Sequence, residues 1–104
     1  MSVEDSQHVF DEVIHGPVRL RICSLLRQFG LSEFGFLRQS LGISDSALSK
    51  HLKSLNDAGY VALTKKTVET RSKTWAALTS EGESAFDGHI SFLQEIIDSS
   101  RKRH

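Results

Sequence analysis

The segment 32–59 constrains this chain more than any other, because it holds two short apolar-periodic runs separated by a tight turn. Phe34, Leu37 and Leu41 recur at helical spacing, and Gly42 ends the run. Ser44 stands where an N-cap belongs, and a second helix follows with Ala47, Leu48, Leu52, Leu55 and Ala58 on one face. At about 100° per residue, Ser46, Ser49, Lys50, Lys53 and Asp57 take the opposite face. The inner stripe anchors the helix. The outer stripe offers hydroxyls and ammonium groups, which can hydrogen-bond to base edges and phosphates.

The flanks extend the helical pattern on one side and change it on the other. A first helix is predicted from Ser2 to His15, with Val9, Phe10, Val13 and Ile14 as its apolar stripe. Gly16-Pro17 breaks it, and Pro17 suits the first position of a second helix that carries Val18, Ile22, Leu25, Leu26 and Phe29 to Gly30. Leu31 reads as a minimal strand, with Ser32 capping the next helix. After Gly59, residues 60–64 and 74–78 are rich in strand formers. The polar stretch 65–73 between them is too long for a two-residue turn, so it predicts a hairpin with a protruding basic loop.

Ser80 and Glu83 have capping-box spacing and open a last helix that runs to about Ser99. Its apolar residues span roughly 160°, wider than the ~100° stripe of a helix packed on one core. A second subunit is expected to cover the remainder, through Phe10, Val13, Phe86, His89, Ile90, Leu93 and Ile97. The organisation is one domain over 1–104: a core with its hairpin at 15–79, and dimerisation helices at 1–14 and 80–100. The fold class is mainly α with a small β hairpin.

Formal net charge is zero, yet the charges are segregated. Arg19, Arg21, Arg27 and Arg38 face only Glu33 over 15–43, and Lys50, Lys53, Lys65, Lys66, Arg71 and Lys73 outnumber Asp45, Asp57 and Glu69 over 44–75. Residues 1–12 and 76–100 carry acids and no Lys or Arg. A duplex responds to the local basic patch. The single Cys23 allows no intrachain disulfide and no paired-cysteine metal site. The acidic first residues argue against a secretory signal, and no apolar run reaches the ~20 residues of a membrane span, so a cytoplasmic protein is expected. No phosphate loop, nucleophile elbow or HExxH supports catalysis, and no cofactor or metal is expected.

HGPVRLRICSLL at 15–26, ISDSALSKHLKSLNDAGYVAL at 43–63 and RSKTWAALTSEG at 71–82 together resemble the winged-helix transcriptional regulators of MarR/ArsR-like type, in particular the small single-domain members. The resemblance implies that the helix from Ser44 enters a major groove and that the hairpin, or wing, touches the backbone or a neighbouring minor groove. With the second subunit expected on the last helix, a homodimeric regulator reading an inverted repeat in double-stranded DNA is expected.

On the recognition helix the candidate contacts are Ser44, Asp45, Ser46, Ser49, Lys50 and Lys53. On the wing they are Lys65, Lys66, Arg71 and Lys73, with Arg71 matching the family's arginine; Ser32 and Arg38 support them from the preceding helix. For Asp45 a helix-dipole role is favoured over an acceptor for cytosine N4. His51 falls in the apolar arc of its helix and is read as a packed core residue, and His89 as a satisfied histidine in a subunit interface or a pH- or ligand-responsive group. Two rival readings remain: a winged helix used purely for protein contacts, and a version gated by an unknown small-molecule effector.

Overall fold

The computed structural model describes residues 9–101. The elements are α1 (Glu12–His15), α2 (Pro17–Phe29), β1 (Ser32–Glu33), α3 (Phe34–Leu41), α4 (Asp45–Asp57), β2 (Val61–Val68), β3 (Arg71–Leu78) and α5 (Ser80–Arg101). The strands form one antiparallel sheet in the order β1-β3-β2. Helices α2, α3 and α4 enclose a core of Ile22, Leu26, Leu37, Leu48 and Leu55, each 0–2% exposed, and Val61, Ala76 and Phe86 close it from the sheet and α5.

Pro17 does start α2, and α3 and α4 follow the apolar periods of their sequences. Gly42 stops α3 in the left-handed conformation at φ +66°, where its N–H donates to the Arg38 carbonyl. A side chain there would be strained, which explains a glycine at the tight turn.

Several boundaries differ from the sequence-based expectation. Among the described residues the first helix is Glu12–His15, and residues 9–11, expected to be helical, are not. Asp11 is extended and its carboxylate accepts the Ile14 N–H, so the cap falls inside the apolar stripe. The part of that expectation at 2–8 lies outside the described residues. Strand β1 is Ser32–Glu33, not Leu31, and Glu33 replaces Ser32 as the N-cap of α3. Ser32 pairs with Ala76 of β3 instead.

The basic stretch of the hairpin is strand, not loop. Pairing runs unbroken from Val61↔Leu78 to Val68↔Arg71, leaving Glu69-Thr70 as the turn, with Glu69 at φ +60°. A two-stranded ribbon open to solvent needs no apolar face, so polarity there is no sign of a loop. Thr79, not Ser80, caps α5: its hydroxyl accepts the Gly82 N–H at 2.9 Å.

Among the glycines, Gly82 lies closest to a neighbouring backbone. A Cβ at this position would sit 2.1 Å from the Tyr60 carbonyl oxygen. Thr79 reinforces the junction, since its N–H donates to that same carbonyl at 3.0 Å and its hydroxyl to Gly59 O at 2.6 Å. The start of α5 is thereby fastened to the point where α4 passes into the wing.

Candidate nucleic-acid interface

Helix α4 is fixed at both ends before its outer face is considered. Ser44 is extended and its hydroxyl accepts the Ala47 N–H at 3.1 Å, a cap worth about 1 kcal/mol. At the far end the Tyr60 N–H donates to Leu55 O at 2.9 Å, and Asn56 Nδ2 donates to Val61 O at 2.8 Å. These bonds tie the helix end to the root of the wing. Leu48, Leu52 and Leu55 turn inward, and Ser46, Ser49, Lys50 and Lys53 stand exposed.

The wing lies alongside. One groove of about 530 Å³ is walled by Asp45 and Ser49 of α4 and by Ser72, Lys73 and Thr74 of β3. A second, of about 460 Å³, runs between Ser49, Lys53 and Asn56 and the wing residues Leu63, Lys65 and Thr74. The structure therefore sets Asp45, Ser49 and Lys53 of the helix beside Lys65 and Lys73 of the wing. Glu33, Ser72 and Thr74, which the sequence does not single out, also stand in these walls, placed there by the β1–β3 and β2–β3 pairings.

Several of the candidate cations are already paired. Arg38 Nε lies 3.0 Å from the Asp45 carboxylate, Lys53 Nζ 3.0 Å from Asp57, and Lys73 Nζ 3.1 Å from Glu33. Lys66 Nζ sits 5.7 Å from the centre of the Trp75 ring at the wing base. Lys50, Lys65 and Arg71 are exposed and make no ion pair among the described residues. Surface pairs of this kind contribute roughly 0–1 kcal/mol, so a phosphate can displace the carboxylate partner.

Ser32 does not fit its expected role as a backbone support. It is 4% exposed, and its hydroxyl donates to Gly30 O at 2.9 Å, out of reach of a phosphate. His51 is half-buried on the flank of α4, with Nδ1 3.5 Å from an Arg19 guanidinium nitrogen. Burial, then the charges of Arg19 and Lys50, hold its pKa below the ordinary value.

The residues expected at a subunit interface divide into two groups. Phe86 and His89 are 8% and 0% exposed inside their own subunit, which corrects their assignment to a surface. His89 Nδ1 accepts the Asp11 N–H at 3.0 Å, which puts the proton of the neutral ring on Nε2, 3.2 Å from His15 Nδ1. The Phe10 ring packs 4.8 Å from His15 and 5.1 Å from His89. Burial and the neighbouring His15 lower the His89 pKa, with Asp11 opposing them. Tyr60 completes the knot, donating to Asp11 Oδ2 at 2.5 Å, and this bond leads the causes that push its pKa up to about 12. Nothing in the sequence signals that His15 and His89 meet.

The second group stays open. Phe10, Ile90 and Ile97 are 41%, 39% and 45% exposed, and Val13 and Leu93 are half-buried. Ile96, at 50%, joins them. Cys23 is buried, and its thiol pKa is pushed up to about 12, chiefly by that burial. Among the described residues no group of three or more His, Cys, Asp or Glu is placed to hold a metal, and no helix is long and apolar enough to cross a membrane.

Comparison with known proteins gives a consistent result. The profile of the winged helix DNA-binding domain matches residues 18–97. An uncharacterized protein of Methanocaldococcus jannaschii is 33% identical over 90 residues, covering 86% of this chain and 95% of its own. Among solved structures, a transcriptional regulator homologue from Pyrococcus horikoshii OT3 aligns with a TM-score of 0.80 at 25% identity, covering 86% of this chain and 88% of that one. A MarR family regulator from Enterococcus faecalis V583 gives 0.76 at 25% identity, over 88% and 82%. NadR, solved in complex with 4-hydroxyphenylacetate, gives 0.70 at 25% identity, over 88% of this chain and 64% of that one.

Proposed function

This chain belongs to the winged helix DNA-binding domain family, and from that membership we propose that it regulates transcription as a homodimer bound to an inverted-repeat operator. The observation that carries the reading is the exposed Ser46-Ser49-Lys50 face of α4, bordered by the wing and backed by a fully packed leucine stripe. Hydroxyls and an ammonium group at the start of such a helix reach base edges, and wing cations meet phosphates. Lys50 approaches guanine O6/N7 or a phosphate. Lys65 and Arg71 take the backbone or an adjoining minor groove, with Lys53 and Lys73 exchanging their carboxylates for phosphates and Arg38 reaching the backbone while it keeps Asp45.

Dimerisation is supported by the exposed Phe10, Ile90, Ile96 and Ile97, an apolar set on and beside one long helix. Two copies joined there would present their α4 helices to half-sites about one helical turn apart. A small-molecule effector belongs to the same reading. NadR was solved with the small molecule 4-hydroxyphenylacetate, and a groove of about 730 Å³ here runs between Phe10, His15 and Arg19 on one side and Ser54 and Asp57 of α4 on the other.

The test is equilibrium binding to duplex DNA across a series of salt concentrations. Binding should weaken steeply with salt. Lys50→Ala should lower affinity and flatten the log–log slope by about 0.9 for each phosphate that the lysine neutralises. Its circular dichroism should match the wild type. A chain that binds no duplex at low salt, and instead captures a partner protein, would support a winged helix for protein contacts.

A further inference from the structure

Asp45 is an anion at the one place on α4 where a DNA-binding helix meets base edges. Its side chain is 77% exposed. The helix does not need it as a cap, because Ser44 already accepts the Ala47 N–H. Its partner comes from a different helix: Arg38 Nε of α3 lies 3.0 Å from Asp45 Oδ1. Asp45 faces the same groove as Ser49, one turn further along, with Ser72 and Lys73 of the wing opposite. A carboxylate here repels every phosphate that approaches α4. It lowers affinity for DNA in general unless a donor on the duplex meets it.

In a major groove the base donors are the amino groups of cytosine and adenine; guanine O6/N7 and thymine O4 only accept. An ionised carboxylate only accepts as well. Adenine sets its N7 acceptor beside the amino group, where it would oppose the second carboxylate oxygen. Cytosine offers its N4 amino group with no acceptor of its own in the groove.

We propose that Asp45 is a specificity-determining residue that accepts from cytosine N4, and that Arg38 is the positioning residue that orients its carboxylate. The proposal rests on α4 being the recognition helix, and it goes beyond that reading by naming a base and the residue that rejects the others. Guanine in place of cytosine would set acceptor against acceptor, at a penalty of roughly 5-fold in affinity, the lower end of the range for a good bidentate base contact.

The experiment selects bound duplexes from a random pool with the wild type, Asp45→Ala, Arg38→Ala and Arg38→Lys. Both side chains are largely exposed, at 77% and 45%, so the variants should fold, and circular dichroism checks this. The wild type should enrich cytosine at one position in each half-site. Asp45→Ala should lose that preference alone and bind the unselected pool more tightly. Arg38→Ala should weaken the preference at the same position, and Arg38→Lys should restore part of it. Unchanged preferences in Asp45→Ala overturn the proposal while leaving DNA binding intact, as does an equal loss at every position. A wild type that enriches nothing overturns the DNA-binding reading and this inference with it.

Discussion

Helices α4 and α5 are both amphipathic, yet they leave opposite chemistry unused. In α4 the leucine stripe is covered by its own subunit, with Leu48, Leu52 and Leu55 at 0–2% exposure, and the outer face carries hydroxyl, ammonium and carboxylate groups. In α5 only the first half is covered: Gly82, Phe86, Gly88 and His89 are buried, and Ile90, Ile96 and Ile97 stay 39–50% exposed. A polar face left beside a basic wing fits a polyanion. An apolar face left on a long helix fits a protein surface of the same kind. The two helices differ less in their amphipathicity than in the chemistry that each leaves uncovered.

That contrast can be broken by substitution. The largest effect is expected in the α4 stripe, where Leu48→Ala should cost about 2–5 kcal/mol in denaturant unfolding, for lost burial and the cavity left behind. Ile97→Asp on α5 should leave the fold of the single subunit intact and shift sedimentation from two copies to one. Equal loss of folding stability in both variants would put Ile97 in the subunit's own core and erase the difference.

A smaller effect sharpens the division within α5. Gly82→Ala should destabilise the fold by roughly 1–3 kcal/mol, the scale of overpacking, because its methyl would meet the Tyr60 carbonyl. Thermal unfolding measures it, and an unchanged midpoint would mean that the start of α5 is not fastened to the wing root.

The smallest effect concerns the histidines of the two helices. His89 and His51 both have pKa values held below the ordinary 6.5, foremost by burial. Below that value the unfolded chain binds protons that the folded one resists, so stability should fall as pH drops through 6.5 toward the depressed values. His89 is fully buried and His51 only half, so His89→Gln should flatten the profile more than His51→Gln. Unfolding midpoints followed through this range decide it; a profile flattened only by His51→Gln would contradict the placement of His89.

Legibility in the sequence followed the range of the interactions. The helical core, the Ser44 cap and the outward face of α4 were readable because each depends on neighbours within a turn or two. The wing's length was not, because a ladder open to solvent looks like a polar loop until its partner strand is known. Ser32 was misplaced for the same reason, its position being set by Ala76 across the sheet. The wide arc of α5 correctly held excess apolar surface, but the knot of Asp11, His15, Tyr60 and His89 joins residues up to 78 positions apart and takes two interface candidates into the subunit's interior. The ion pairs that engage Arg38 and Lys73 were hidden too, so a count of cations overstated the charge free for a duplex.

The most direct test of the central claim is an amide chemical-shift titration of the protein with duplex DNA at low salt. The largest shifts should fall at Ser46, Ser49 and Lys50 and at Lys65 and Arg71 on the wing, with Ile96 and Ile97 unmoved. Shifts confined to the exposed half of α5, with the outer face of α4 silent, would contradict the claim.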